Sequence, residues 1–546
     1  MKNTIKFLAP LVAGASLLFT GCLKETFPQS STATAGQVSG APGAFQNYVD
    51  ACTSTLVGTF AFDSKYAWDF GYPSFFLQRD VMGQDVVCED SSSEHFSTWY
   101  QVSTGLGPRY LVCQAPWTYY YQWINNCNTV ISLCGEDPAE EQRAGAGIAR
   151  AMRAMFYMDL ARMFAYTYVG HEDAETVPIV TESVENPTNN PRATNEQIWA
   201  FILDDLDKAE TLLEGYTRSD KSTPDLSVVY GLKARAYLTI ENFPEAEKYA
   251  KLAQEGYTPL TADEYIDRTT GFNEPNHAWM FSVSYKSQDP NILENDADTS
   301  WGSAMVLEIT EDSGCGYASN YGSVKRIDKH LYETIPATDI RKKCYVDPAL
   351  DAMSESDRTA ALADYSDYPE AMDATASATT SGAYGCLSLK FRAGGGDAGH
   401  RNQYIGFCIS APLMRVEEMM LIEAEAVGMQ AGRESEGRTL LTSFAALRDP
   451  SYQYDEFQTF RDNVWWQRRV ELWGEGFATF DIKRLNKGIT RSYAGTNHPT
   501  GYRYNTTGVP SWMNLCIVQS ETNYNTACTN NPTPVQPDGD SPEFVW

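Results

Sequence analysis

The sequence predicts a mainly α-helical protein: a tetratricopeptide-like helical repeat scaffold with an irregular, loop-rich insertion carrying short strands. Three observations predict it. Apolar residues recur at three- and four-residue steps through 148–163 and 198–213, two short amphipathic stretches follow around a break at Glu241 to Pro244, and the periodicity stops near 271 and returns at 413.

In the first stripe Ile148, Met152, Phe156, Leu160 and Met163 share a face, and Arg150, Arg153 and Arg162 lie off it. The second consists of Ile198, Ile202, Leu206, Ala209 and Leu213, with Asp204, Asp205 and Asp207 placed to face solvent and Thr194 or Asn195 suited to cap the helix start. Around Glu241–Pro244, Pro244 fits the first turn of the following helix, where its missing N–H costs nothing. Ala234, Ala246, Ala250 and Ala253 allow a close helix–helix approach, the build of a tetratricopeptide-like hairpin, although no strict 34-residue period runs through the chain. Strand-like AWMFSVSY (278–285), polar loops and Gly394-Gly395-Gly396 then occupy the insertion. Helical pattern resumes at 413–429, 443–449 and 463–477. The scaffold is therefore placed at about 43–270 and 410–490, the insertion at about 271–409 and a C-terminal tail at 491–546.

The amino terminus sets a compartment. Lys2 and Lys6 precede a mostly apolar run, Phe7 to Phe19, too short for a hydrocarbon core of about 30 Å and fitting a signal peptide. It ends in Leu18-Phe19-Thr20-Gly21-Cys22, which resembles a bacterial lipobox with Phe19 where Leu is usual. The expectation is a signal peptide over 1–21, fatty acylation of Cys22, and a flexible Ser/Thr/Ala/Gly-rich tether over 22–42.

Hydrophobic content of 43% and aromatic content of 12% mark the remainder as globular. A net charge of −29 without a cluster of Lys and Arg argues against nucleic acid. Apart from Cys22 there are eleven cysteines, an odd number, without CxxC or zinc-type spacing; buried thiols with a few bridges are the expectation. No GxSxG, HExxH or P-loop is present, and the six histidines are scattered. Glu417, Glu418, Glu423 and Glu425 crowd one helix, read as an ion-pair network with Arg415 one turn before Glu418. Asn295, Asp296 and Asp298 suggest an oxygen-rich loop but lack the EF-hand glycine and distal glutamate, so neither metal nor cofactor is assigned.

Five motifs occur in order behind the lipobox. They are Trp117, Tyr121, Ile124 and Asn128; the helix RAMRAMFYMDLARMF followed by Val177-Pro178-Ile179-Val180; Arg415, Glu418, Leu421, Ala424, Glu425 and Ala426; Arg468, Arg469, Glu471, Leu472, Glu475, Gly476, Asp481 and Arg484; and Ile517, Gln519, Glu521, Asn525, Asn531 and Pro532. The set resembles the SusD/RagB nutrient-binding lipoproteins of Bacteroidetes outer membranes. Gln467, Ala478 and Val518 depart from that pattern, where Glu, Arg and Pro are usual, and the stretch from about 286 to 400 carries no matching motif. The resemblance implies an outer-membrane, lipid-anchored, non-enzymatic protein that binds a glycan, or alternatively a peptide or glycopeptide. It also implies delivery to a SusC-like TonB-dependent transporter. A surface glycoside hydrolase is a third reading, but no carboxylate pair stands out for it.

Sugars present a polar rim and weakly apolar C–H faces, so a glycan site needs flat rings with polar groups at their edges. The candidates are ring-bearing residues in polar, irregular stretches: Trp68 and Tyr72; His95, Trp99 and Tyr100; Trp301; and Tyr317, Asn320 and Tyr321. Trp117 and Trp123 on one helix, Trp465, Trp466 and Trp473 on another, and Trp279 in a strand are expected to be packing residues.

Overall fold

The structure, a computed structural model, describes residues 43–58, 66–103, 105–309, 316–537 and 539–546. The expected signal peptide, Cys22 and the tether up to residue 42 lie outside the described residues, as does Cys315. No helix among the described residues is long and apolar enough to cross a membrane.

The helices used below are α1 (Ser74–Asp80), α2 (Leu111–Cys134), α3 (Arg143–Phe164), α4 (Asn195–Leu212), α5 (Leu226–Thr239), α6 (Phe243–Gln254), α7 (Val416–Gly428), α8 (Glu434–Ala446), α9 (Phe460–Glu471) and α10 (Ala478–Arg484). The strands are β1 (Val86–Cys88), β2 (Glu175–Pro178), β3 (Arg192–Thr194), β4 (Trp279–Ser284), β5 (Lys325–Ile327) and β6 (Ser410–Arg415). From α2 to α8 each helix packs on the next, and α6 meets α7 although the loop-rich layer separates them in sequence.

The predicted helices and their boundaries have local causes. Thr194 caps α4 by accepting from the Gln197 N–H, and the Gln197 side chain reaches back to the Thr194 N–H, closing a capping box. Pro244 occupies the first turn of α6. Ala246, Ala250 and Ala253 are fully buried, which lets α6 pack closely on α5 and α7. Between α7 and α8 the approach is closer still, because a Cβ on Gly437 would lie 2.4 Å from the Gly428 Cα.

The charges on α3 and α4 do not behave as their spacing suggests. Arg150, Arg153 and Asp205 are buried, not solvent-facing. Asp205 accepts from Arg150 at 3.0 Å and from Arg153 at 2.7 and 2.9 Å, while Arg153 also donates to Asn128 at 2.9 Å. One carboxylate thus fastens α4 to α3, and one guanidinium fastens α3 to α2. A buried charge is tolerated when its hydrogen bonds are fully met.

Among the described residues, three two-stranded antiparallel sheets complete the fold. β4 and β6 pair from Trp279↔Arg415 to Ser284↔Ser410, clamping the two ends of the loop-rich layer. That layer has its own core of Leu307, Val324, Val346, Leu362, Met372 and Leu389. The tail returns over the scaffold and is held by polar hooks. Arg491 donates to the carbonyls of Val81, Gly83 and Tyr100, each at 2.8 Å, and Asn531 donates to those of Phe164 and Leu515. The cysteines among the described residues are all free thiols, and only Cys408 is partly exposed. The expected bridges therefore do not form among them.

Candidate functional site

Most of the motif residues singled out in the sequence are fasteners. Tyr121 and Asn128 on α2 donate to the carbonyls of Pro178 and Val180 at 2.7 and 3.0 Å, and the Tyr157 hydroxyl both donates to and accepts from Val180. Glu425 accepts from Arg484 and Arg461, Arg468 reaches Asp481 at 2.7 Å, and Arg235 pairs with Glu418 at 2.6 Å. The glutamates of α7 do form an ion-pair network. Arg415, however, turns away from Glu418 towards Glu417, Glu471 and Glu475. Asn295, Asp296 and Asp298 each take up a different partner. Asn295 donates to Thr299, Asp296 accepts from Tyr404 and Asp298 accepts from the Gly316 N–H.

The ring candidates divide into two groups. Trp68, Tyr72, Trp99, Tyr100 and Trp301 are core residues, each at most 4% exposed, which corrects the expectation that these rings are open to a glycan. Trp99 and Tyr100 lie in a short helix over Ser97–Gln101, Trp301 opens another over Trp301–Met305, and tertiary packing covers all five rings. Trp68 meets Trp99 edge-on at 5.4 Å, and Trp301 meets Phe391 edge-on at 5.0 Å. The Tyr72 hydroxyl donates to Asp159 at 2.6 Å, and the Tyr100 hydroxyl bonds His498 at 2.7 Å.

His95, Tyr317 and Tyr321 come together at the surface, with Asn320 next to Tyr321 in the chain. β1 pairs with β5 from Val86↔Ile327 to Cys88↔Lys325, which lays the 91–97 turn beside the 316–324 loop. Beneath the rings the buried Glu94 carboxylate accepts from the Lys325 ammonium at 2.7 Å, the Ser323 hydroxyl at 2.8 Å and the Phe96 N–H at 2.9 Å. This clamp fixes the turn to the loop. The loop is shaped by Ser303, whose hydroxyl accepts from the Tyr317 N–H at 2.9 Å. Two backbone bonds close it on itself: the Ser323 N–H donates to the Tyr317 carbonyl at 2.9 Å, and the Asn320 N–H donates to the Gly316 carbonyl at 2.9 Å. Gly322 turns it with φ +65°, and a Cβ there would lie 2.3 Å from the Ala378 carbonyl oxygen.

The resulting surface is a bent ring platform. His95 meets Tyr317 edge-on with centroids 4.2 Å apart, and Tyr317 meets Tyr321 at 5.2 Å with planes inclined by 35°. Tyr321 is 46% exposed, Asn320 is exposed, and His95 and Tyr317 are half-buried. Partial burial lowers the His95 pKa below its usual 6.5, against the pull of Glu94 and with the help of Lys325. The imidazole is therefore neutral at neutral pH. Burial also raises the Tyr317 phenol, so both groups present uncharged rings. Burial pushes the Asp298 carboxyl behind the loop up to about 6, against the Gly316 N–H and with the help of Asp296.

A second concavity has a volume of about 960 Å³ and is lined by Trp465, Trp466, His330, Tyr452 and Trp546 among others. Trp117, Trp123, Trp279 and Trp473 are packing residues as expected, but Trp465 and Trp466 are only half-buried and face this opening. Their helical setting gives no sign of it, because the opposite wall comes from the distant tail.

A scaffold of paired helices carrying a loop-rich layer, with few short strands and no closed sheet among the described residues, is the SusD-like architecture. The chain belongs to the SusD family: residues 78–238 match a SusD-like model described as "Starch-binding associating with outer membrane", and residues 273–533 match the SusD family model. Among solved structures it is similar to a SusD-like carbohydrate binding protein from Bacteroides vulgatus, at 22% identity over 89% of this chain and 97% of that one, with a TM-score of 0.68. It is also similar to surface glycan-binding protein A from Bacteroides thetaiotaomicron in complex with laminarihexaose, at 19% identity over 88% and 97%, with a TM-score of 0.63. No curated protein matches.

Proposed function

We propose that this chain is a cell-surface lipoprotein that binds a nutrient glycan and passes it to a SusC-like TonB-dependent transporter in the outer membrane, with Cys22 as the lipid anchor and no catalysis of its own. The observation that carries the reading is the solvent-facing platform of His95, Tyr317 and Tyr321 with Asn320 beside it. Neutral rings stack on the C–H faces of a sugar. Family membership and the laminarihexaose complex of a structural neighbour support a glycan as the ligand class. The family description, which names the outer membrane, supports the location.

Affinity electrophoresis of the mature chain in gels containing laminarin, starch, xylan or mannan tests the binding step. At least one glycan retards the wild type, and Tyr317→Ala with Tyr321→Ala weakens that retardation about tenfold, the scale of two ring contacts of about 0.5–1.5 kcal/mol each. Retardation that is unchanged in the double variant overturns this platform as the site. Sustained release of new reducing ends overturns the non-catalytic part of the reading.

A further inference from the structure

We infer that the cavity between α9 and the C-terminal tail is a second carbohydrate site, which takes a short neutral oligosaccharide independently of the His95–Tyr317–Tyr321 platform. None of the platform residues lines it. Its volume of about 960 Å³ is at the upper end of the range for small-ligand sites, roughly 300–1,000 Å³.

The walls supply rings that are held in place and only partly covered. Successive positions on a helix point about 100° apart, so Trp465 and Trp466 line two sides of the opening. The Trp466 indole N–H donates to the Thr334 hydroxyl at 2.9 Å, which fixes the ring. Arg469 and Lys487 lie 4.8 and 5.6 Å from the centre of the Trp465 ring. Across the cavity Trp546 stacks on His330 with centroids 3.6 Å apart and planes within 5°, yet remains 64% exposed.

The polar groups select against charge. Lys487 pairs with Asp462 at 2.5 Å, and Arg469 is held by Asp85 at 2.5 Å, so the cations at the opening are already neutralised. Asp449 is occupied by the Ser451 hydroxyl and N–H, and Asp455 by the Phe457 N–H. An anionic ligand would have to compete with Asp462 or Asp85 for these cations. A neutral ligand with apolar faces and many hydroxyls needs only the rings and the amides of Gln453 and Gln458 on the lining. That combination describes an oligosaccharide. Two sites on one body would also let a polysaccharide bind at both, raising retention beyond either site alone.

The test uses the mature chain in gels of laminarin, starch, xylan and mannan, with four proteins: wild type, Trp465→Ala with Trp466→Ala, Trp546→Ala, and Tyr317→Ala with Tyr321→Ala. On a glycan that retards the wild type, the α9 double variant reduces retardation about fivefold or more. Trp546→Ala, which removes an exposed ring and leaves the core intact, reduces it about two- to threefold. In the Tyr317/Tyr321 variant, the same glycan still quenches tryptophan fluorescence. Wild-type retardation in both tryptophan variants, or a wild type that no glycan retards, overturns the second site. Loss in the tyrosine variant alone leaves the platform standing and removes the cavity; loss in the tryptophan variants alone does the reverse.

Discussion

Arg415 and Glu475 face each other through two parallel hydrogen bonds of 2.9 Å, with both side chains sealed from solvent. Around them Glu417, Glu471, Arg448 and Arg341 complete a buried network that ties the end of the loop-rich layer to α7, α8 and α9. Arg415 closes β6, Glu417 lies in the first turn of α7 and Glu471 ends α9, so a single cluster holds three junctions.

Removing one partner leaves a buried charge uncompensated. Arg415→Met is expected to lower stability by about 3–5 kcal/mol, read as a shifted denaturant midpoint. A shift under about 1 kcal/mol would mean that the network is dispensable.

The same cluster sets an acid limit. Burial works against the charge on Glu471, but Arg448 and Arg415 hold its carboxyl well below the usual 4.5. Because the folded value is the lower one, its contribution is complete above the unfolded value and is lost as pH falls through the folded one. Thermal unfolding followed down through about pH 4 should show the wild type losing stability on acidification, with Glu471→Gln less stable at neutral pH and showing a shallower acid slope.

Trp99 and Trp301 act through the core. Trp99→Ala and Trp301→Ala should each cost about 3–5 kcal/mol, while the folded fraction keeps wild-type glycan retardation. Tyr321→Ala should do the opposite, leaving the melting temperature nearly unchanged and weakening retardation. Equal stability loss in all three would contradict their different exposures, 1% and 0% against 46%.

This contrast marks what is legible in a sequence. Long stripes such as Ile148–Met163 announce helices because one face must be apolar, and α3 follows that stripe. Arg153 and Asp205 are not legible in that way, because a buried paired charge and a solvated one look alike in sequence. Trp301 looks solvated because its neighbours are polar and irregular; its cover comes from Phe70, Phe76 and Phe391. The platform depends on β1 meeting β5 from far along the chain, a pairing that such short strands cannot signal. Trp465 and Trp466 mislead for a related reason: whether a helix face meets another helix or an opening is decided by the tail.

The lowered pKa of His95 gives the platform a pH signature. Partial burial favours the neutral ring, so the midpoint of any acid change in glycan retardation should fall below the usual histidine value of 6.5. His95→Phe keeps a ring and removes the titration, so its acid profile should be flatter than that of the wild type. A wild-type profile that already breaks between about pH 7.5 and about pH 7 would show that the imidazole is charged too early for this environment.

Gly322 and Gly382 separate backbone strain from close contact. Both have positive φ, +65° and +62°, but a Cβ at Gly382 meets open space, whereas one at Gly322 would lie 2.3 Å from the Ala378 carbonyl oxygen. Gly382→Ala should therefore cost only the left-handed backbone penalty, about 1–2 kcal/mol, and leave glycan retardation unchanged. Gly322→Ala carries the same penalty and must also push the loop away from Ala378, a backbone obstacle that no rotamer change relieves. The displaced segment includes Tyr321 and adjoins the Ser323 hydroxyl that donates to Glu94, so the inclined Tyr317–Tyr321 pair should open. The expected result is a larger loss of stability than in Gly382→Ala together with weakened retardation, measured side by side. Equal stability loss in the two variants, with retardation intact in both, would mean that the 316–324 loop yields without disturbing the rings, and that its contact with Ala378 does not hold the platform in shape.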